Sequence, residues 1–85
     1  MASYSVFIKP SAAKELERLP DKFRRQLGKR IHALAANPRP VGCEKLTGDE
    51  LYRIRQGDYR VVYSIEDAVL TVLVVRIGNR RDVYR

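Results

Sequence analysis

Residues 51–77 read LYRIRQGDYRVVYSIEDAVLTVLVVRI, a stretch rich in β-branched and aromatic residues. Such residues favour strands, and the two short polar breaks, Gln56-Gly57 and Glu66-Asp67, are typical of turns. The pattern therefore predicts three consecutive strands, at Leu51–Arg55, Asp58–Ile65 and Val69–Ile77. Because the last of these is apolar on both faces, we expect it to lie in the interior of the sheet.

The sequence before these strands predicts a first strand followed by a helix. Ser3–Lys9 is rich in β-branched and aromatic residues and stops at Pro10. Ser11 is of a residue type that caps helices, and Pro20-Asp21 breaks the helix and starts another. The apolar positions of this first helix are Ala12, Ala13, Leu16 and Leu19.

A second helix is predicted from the spacing of its apolar residues, which recur every three or four positions and form one stripe. The stripe consists of Phe23, Leu27, Ile31 and Leu34. Asn37-Pro38 is expected to end this helix, and Arg39–Glu50 contains Pro40, Gly42 and Gly48, which predict a loop.

The order of these elements is β-α-α-β-β-β, which indicates an α+β fold with a helical hairpin packed on one face of an antiparallel sheet. We expect the helices to contact the sheet through Leu16, Leu27, Ile31 and Leu34. A chain of 85 residues has room for one core, so residues 1–85 are predicted to form a single domain.

The charge balance indicates the kind of partner. Seventeen Lys and Arg against ten Asp and Glu give a net charge of +7. Most of the excess lies in residues 1–43, which carry nine basic and three acidic side chains. Such a charge favours a polyanion or an acidic protein as partner, although a protein can also be basic without binding either.

Several classes of site are excluded by composition. Cys43 and His32 are the only residues of their types, which excludes a thiolate cluster and a His-rich metal site, so no metal or cofactor is expected. We expect neither residue to be catalytic. The N-terminus lacks a signal-peptide pattern, and the longest nearly apolar stretch, Ala68–Val75, is less than half a membrane span. We therefore expect a cytoplasmic protein that does not contact the membrane.

Arginines concentrate in the predicted hairpin. Arg53 and Arg55 alternate with Tyr52 and Ile54, so both should lie on one sheet face. With Gln56-Gly57 as a two-residue loop, Arg53 would lie directly opposite Arg60. Opposed like charges destabilise a sheet, which suggests an anion-binding site there. The alternative is a solvated face on which Asp58 neutralises Arg55.

More arginines follow the last strand. Arg76, Arg80, Arg81 and Arg85 surround Tyr84, and Gly78-Asn79 predicts a turn that brings this segment back beside the sheet. Guanidinium groups bind phosphate with two parallel hydrogen bonds, and a tyrosine can stack on a base or donate its hydroxyl. These residues suggest a phosphate or RNA site that works by electrostatics.

Two segments carry a family resemblance. LYRIRQGDYRVVY at 51–63 and VVRIGNRRDVYR at 74–85, together with AAKELERL at 12–19, NPRP at 37–40 and KLTG at 45–48, resemble the RelE-like toxins of the RelE/ParE superfamily. The resemblance covers nearly the whole chain. It implies a toxin of a type II toxin–antitoxin system that enters the ribosomal A site. There it cleaves messenger RNA without a metal, by attack of a ribose 2′-hydroxyl on the adjacent phosphate.

The resemblance also implies roles for particular residues. Arg60 and Arg80 match the family's phosphate-binding arginines, and Tyr84 matches its substrate-stacking or proton-transferring tyrosine. Arg53 and Arg55 stand where the family has lysines, and with Arg81 they are expected to bind substrate. Arginine keeps its proton, so Arg53 and Arg55 are not expected to act as general bases, which leaves Tyr84 or a group of the ribosomal RNA.

The family implies partners as well. A cognate antitoxin is expected to cover the basic helices or the arginine-bearing face, with an acidic amphipathic helix. Operator DNA is expected to bind only the toxin–antitoxin complex. Two other functions stay open at this point: a ParE-like toxin that inhibits DNA gyrase and cuts no RNA, and an inactive relative that only regulates.

Overall fold

A computed structural model describes residues 3–48 and 50–79. Its strands are β1 (Ser5–Ile8), β2 (Glu44–Lys45), β3 (Leu51–Gln56), β4 (Tyr59–Glu66) and β5 (Thr71–Asn79), and its helices are α1 (Pro10–Glu17) and α2 (Asp21–Ala33). A short 3₁₀ turn, Asp67–Val69, connects β4 to β5. The predicted order is confirmed, with one addition: β2 lies in the segment that the sequence predicted to be a loop.

The strands form one five-stranded sheet in the order β1-β5-β4-β3-β2, so the prediction that the last strand is interior is confirmed. The pairs among β2 to β5 are antiparallel as expected, whereas β1 runs parallel to β5. The prediction of a wholly antiparallel sheet is therefore wrong at this pair. Strands that are joined by a tight turn pair antiparallel. Strands β1 and β5 are not joined in this way, so nothing in the connection requires antiparallel pairing.

Both helices pack on the same face of the sheet. Leu27, Ile31 and Leu34 from α2 and its C-terminal end are buried, and Leu16 from α1 packs against them, which confirms the predicted contacts. The sheet contributes the buried residues Ile54, Val61, Tyr63, Val72, Val74 and Ile77. Each aliphatic side chain of this core contributes about 1.5–3 kcal/mol when it is fully buried, before the loss of entropy.

The helix ends differ from the prediction. Helix α1 begins at Pro10, and no side chain caps it, so the predicted Ser11 cap is wrong. Proline suits the first turn because its fixed φ is helical and its missing N–H would have no partner there. Helix α2 begins at Asp21 as expected but ends at Ala33. Its last turn tightens, with the N–H groups of Ala36 and Asn37 both bonded to the Ala33 carbonyl, so the helix ends before Pro38.

One helix contact supports the end of β5. Strand β1 pairs with β5 only as far as Val74, so the N–H of Ile77 lies beyond the end of β1. Glu15 of α1 accepts a hydrogen bond from this N–H at 3.0 Å, and its other oxygen lies 3.3 Å from Nε of Arg76. The ion pair of Glu15 with Arg76 therefore joins α1 to the sheet and is not local to the helix.

A second set of polar contacts joins the loop after α2 to the turn before β5. Arg39 binds both carboxylate oxygens of Asp67, at 3.1 and 2.9 Å, and the Tyr4 hydroxyl donates to the same carboxylate at 2.6 Å. Mainly through the Arg39 hydrogen bond, and also through Tyr4, the pKa of Asp67 is lowered to about 2. These contacts connect three segments that are far apart in sequence.

Neither helix in the described part of the chain is long and apolar enough to cross a membrane.

Candidate phosphate-binding site

The β3–β4 hairpin determines where its arginines lie. Gln56 pairs with Tyr59, so the two-residue loop is Gly57-Asp58, and Arg55, not Arg53, lies opposite Arg60. The predicted pairing is wrong because the loop uses Gly57, with φ of +61°, at its first central position, where a common two-residue hairpin turn requires glycine. The pairing moves by two residues, which leaves every side chain on its predicted face.

Arg53, Arg55 and Arg60 consequently share the sheet face opposite the helices, called here the arginine face. Arg60 is only 7% exposed, and in the described part of the chain it is the one charged residue that is buried. Its neighbour on β5 is Gly78, which has no side chain. A guanidinium stays protonated when buried, and reduced contact with water strengthens its attraction to a phosphate.

A carboxylate that the sequence interpretation did not include lies on the same face. Strand β2 pairs Glu44 with Arg53, and a Glu44 oxygen accepts a hydrogen bond from Nη2 of Arg53 at 2.6 Å. Its other oxygen lies 3.4 Å from Nη2 of Arg55. The carboxylate that contacts Arg55 is therefore Glu44, whereas the alternative of a solvated face had named Asp58. A two-residue strand between prolines and glycines has no periodic signal, so the sequence offered no means of placing Glu44.

Helix α2 fixes the end of the hairpin. Nη1 of Arg30 donates to the Arg55 carbonyl and to Oε1 of Gln56, each at 3.0 Å. The sequence did not indicate these contacts, because nothing in a helical pattern shows which strand end a long side chain reaches. These two hydrogen bonds join the end of β3 to the helix layer, and they fix the position from which the Arg55 side chain extends to the other face.

Not all the predicted site residues can be placed. Arg80, Arg81 and Tyr84 lie outside the described residues, as does the predicted return of the C-terminal segment beside the sheet. Arg76 belongs to β5 and binds Glu15 of α1. Its grouping with the C-terminal arginines stays a prediction, because those arginines lie outside the described residues.

The remaining candidates lie elsewhere. His32 is exposed on α2, and Cys43 is partly buried directly before β2. Burial is the main cause that raises the pKa of the nearby Tyr63 phenol, whose hydroxyl donates to the Pro38 carbonyl at 2.7 Å. No three His, Cys, Asp or Glu side chains are grouped as metal ligands within residues 3–48 and 50–79.

The arginine face presents three guanidinium groups with different exposure and one carboxylate among them. Arginines bind the non-bridging oxygens of a phosphodiester by charge-assisted hydrogen bonds. They also stabilise the negative charge that grows on those oxygens when phosphorus is attacked. The geometry therefore suits binding and electrostatic activation of a phosphodiester.

Comparison with known proteins gives a consistent result. The family model described as "ParE toxin of type II toxin-antitoxin system, parDE" matches residues 6–84. "Toxin RelE" of Mycobacterium tuberculosis is 38% identical over 85 residues, covering 96% of this chain and 87% of the relative. "mRNA interferase toxin RelE" of Escherichia coli is 35% identical over 78 residues, covering 86% and 81%.

Solved structures agree with these sequence relatives. The archaeal RelE–RelB complex from Pyrococcus horikoshii contains a chain that superimposes with a TM-score of 0.83 at 30% identity, covering 95% of this chain and 99% of that one. The crystal structure of the RelBE2 toxin–antitoxin complex from Mycobacterium tuberculosis also has a TM-score of 0.83, at 26% identity and 96% and 97% coverage. Two helices packed on a five-stranded mixed sheet are thus the fold of RelE toxins.

Proposed function

The chain belongs to the RelE/ParE family of type II toxins, and we propose that it is a RelE-like ribonuclease that cleaves messenger RNA in the ribosomal A site. The observation that carries the proposal is the burial of Arg60 on a face that also presents Arg53 and Arg55. Support also comes from a relative that is named an mRNA interferase and is 35% identical.

The proposed reaction needs no metal. The ribose 2′-oxygen attacks the adjacent phosphorus, the bond to the 5′-oxygen breaks, and a 2′,3′-cyclic phosphate and a 5′-hydroxyl end result. Arg60 stabilises the charge on the non-bridging oxygens, an interaction that is stronger in the transition state than in the ground state. Arg80 shares this role. Tyr84 stacks on the substrate base, and Arg53, Arg55 and Arg81 bind the RNA backbone.

The proposal includes partners and place of action. A cognate antitoxin inhibits the toxin, as the RelB chains of the similar solved complexes suggest. The ribosome with its messenger RNA is the substrate, operator DNA is bound only by the toxin–antitoxin complex, and the protein acts in the cytoplasm without a cofactor.

A gyrase-inhibiting toxin is the second candidate, and the ParE name of the matching family model favours it. A binder of gyrase has no need for a buried guanidinium on the same face as two further arginines. Two assays on the purified toxin separate the functions: cleavage of messenger RNA on programmed ribosomes and supercoiling by DNA gyrase. We expect cleavage between nucleotides in the A site and unchanged supercoiling. Inhibited supercoiling with intact messenger RNA would contradict the proposal.

A further inference from the structure

Glu44 is the carboxylate that contacts the arginine face in the described part of the chain. It pairs with Arg53 in the β2–β3 register, which directs its side chain to the same face as Arg53, Arg55 and Arg60. Its two oxygens have different partners: one lies 2.6 Å from Nη2 of Arg53 and the other lies 3.4 Å from Nη2 of Arg55.

The two contacts also differ in exposure. The Arg53 side chain is 12% exposed, so its short hydrogen bond holds Oε2 of Glu44 in a fixed direction. The Arg55 side chain is 50% exposed and that of Glu44 is 48% exposed, so the longer contact at Oε1 faces solvent. Exposed ion pairs are weak because water screens them, and a phosphate that binds Arg55 can therefore displace Oε1 of Glu44.

The proposed cleavage requires a group that removes the proton of the 2′-hydroxyl. Arginine cannot do this because its guanidinium stays protonated, and a phenol is a poor base at neutral pH. A carboxylate that is held at one oxygen by a short hydrogen bond, and that has a longer, solvent-exposed contact at the other oxygen, has the arrangement of a general base once a phosphate displaces that contact. On the ribonuclease function proposed above, we infer that Glu44 is this base and that Arg53 is the residue that orients it.

The step balances without an additional reactant. Oε1 of Glu44 takes the proton of the 2′-hydroxyl while the 2′-oxygen forms its bond to phosphorus. The bond between phosphorus and the 5′-oxygen breaks, its electron pair leaves with the 5′-oxygen, and that oxygen takes a proton from water. Glu44 then returns its proton to solvent. Arg55, released from Oε1, binds a non-bridging oxygen of the same phosphate.

The contrasting role for Glu44 is that of a counter-ion that only neutralises the arginine face. The charged side chains that contact it in the described residues are Arg53 and Arg55, both from β3. A counter-ion competes with the RNA phosphate for these arginines. Its removal would strengthen RNA binding and leave the chemical step unchanged, whereas removal of a base slows the chemical step itself.

The test compares Glu44→Gln with wild type in single-turnover cleavage on programmed ribosomes, with toxin at saturating concentration. Glutamine keeps the shape and an oxygen that accepts the Arg53 hydrogen bond, but it does not take the proton. We expect the cleavage rate to fall by about 10²–10⁴, with ribosome affinity unchanged or higher. The matched control is Glu50→Gln, whose side chain is 92% exposed and 3.7 Å from Lys45, and it should cleave at the wild-type rate.

Two further readouts are specific for proton transfer. The cleavage rate of the wild-type toxin should depend on pH differently from that of Glu44→Gln, because only the wild type has a proton-accepting carboxylate at this position. Added formate should partly restore cleavage by Glu44→Ala, while chloride at the same ionic strength should not. Both results would support the base and would not follow from a counter-ion.

The possible failures are distinguishable. If Glu44→Gln cleaves at the wild-type rate while loss of Arg60 abolishes cleavage, Glu44 is not the base and the ribonuclease function stands. If the wild-type toxin does not cleave on ribosomes, the proposed function is wrong and the role of Glu44 falls with it.

Discussion

Replacement of Arg60 by methionine tests whether a buried guanidinium on the arginine face drives phosphoryl transfer. Arg60 is 7% exposed and lies opposite Arg55 on the neighbouring strand. Methionine fills most of its volume without the charge. Loss of one preorganised donor to the developing oxyanion typically costs about 3–4 kcal/mol, which corresponds to about 10²–10³ in rate. We expect Arg60→Met to lose cleavage by this factor in a single-turnover assay.

The same change in the half-exposed Arg55 provides a comparison on the same face. Solvent screens an exposed charge to about 1 kcal/mol or less, so Arg55→Met should lose only about fivefold in cleavage rate. Arg25→Met on the exposed side of α2 controls for loss of net charge. We expect the free energy of unfolding of Arg60→Met, measured in urea, to remain within about 2 kcal/mol of the wild-type value, because a change that conserves volume is well tolerated. Equal losses at positions 25 and 60, or full activity of Arg60→Met, would refute the reasoning.

Three other outcomes follow from the contacts. Because its folded-state pKa is lowered to about 2, Asp67 contributes stability above the unfolded pKa near 4, and that contribution is lost as pH falls toward 2. Asp67→Asn should therefore unfold more easily than wild type at pH 6, and the difference should disappear near pH 2 in urea titrations. Arg30→Ala removes two hydrogen bonds to the end of β3 and should lower the free energy of unfolding by about 1–2 kcal/mol, whereas Lys29→Ala, on the same helix, should not. Antitoxin affinity, measured by calorimetry, should fall as salt rises from about 0.05 to 0.5 M because exposed charges are screened, and salt-independent affinity would contradict a basic interface.

The sequence predicted the parts of the fold that depend on periodicity. The apolar stripe of α2 and the alternation in β3 and β4 directed the core side chains to their observed face. The direction of β1 and the existence of β2 were not predictable in this way. Neither depends on a local pattern: β1 reaches its partner through pairing distant in sequence, and β2 has only two residues.

The candidate site was predictable to a similar extent. Arg53, Arg55 and Arg60 were assigned to one face from alternation alone, even though the pairing was wrong by two residues. A shift by an even number preserves faces because the side-chain period of a strand is two. Glu44 and Arg30 reach the site by tertiary contacts, from a short strand and from a helix. No spacing in the sequence connects either residue to the arginines.

The observed register brings two arginines of the arginine face directly opposite each other, and the pair differs from the one that the sequence predicted. Arg55 and Arg60 are directly opposed across β3 and β4, and opposed like charges destabilise a sheet by some tenths of a kcal/mol. The contact of Glu44 with Arg55 offsets part of this repulsion. That contact lies on the exposed side, where an incoming phosphate can replace it. A binding phosphate therefore relieves the same repulsion that Glu44 relieves in the free protein, and it leaves the carboxylate next to the bound nucleotide.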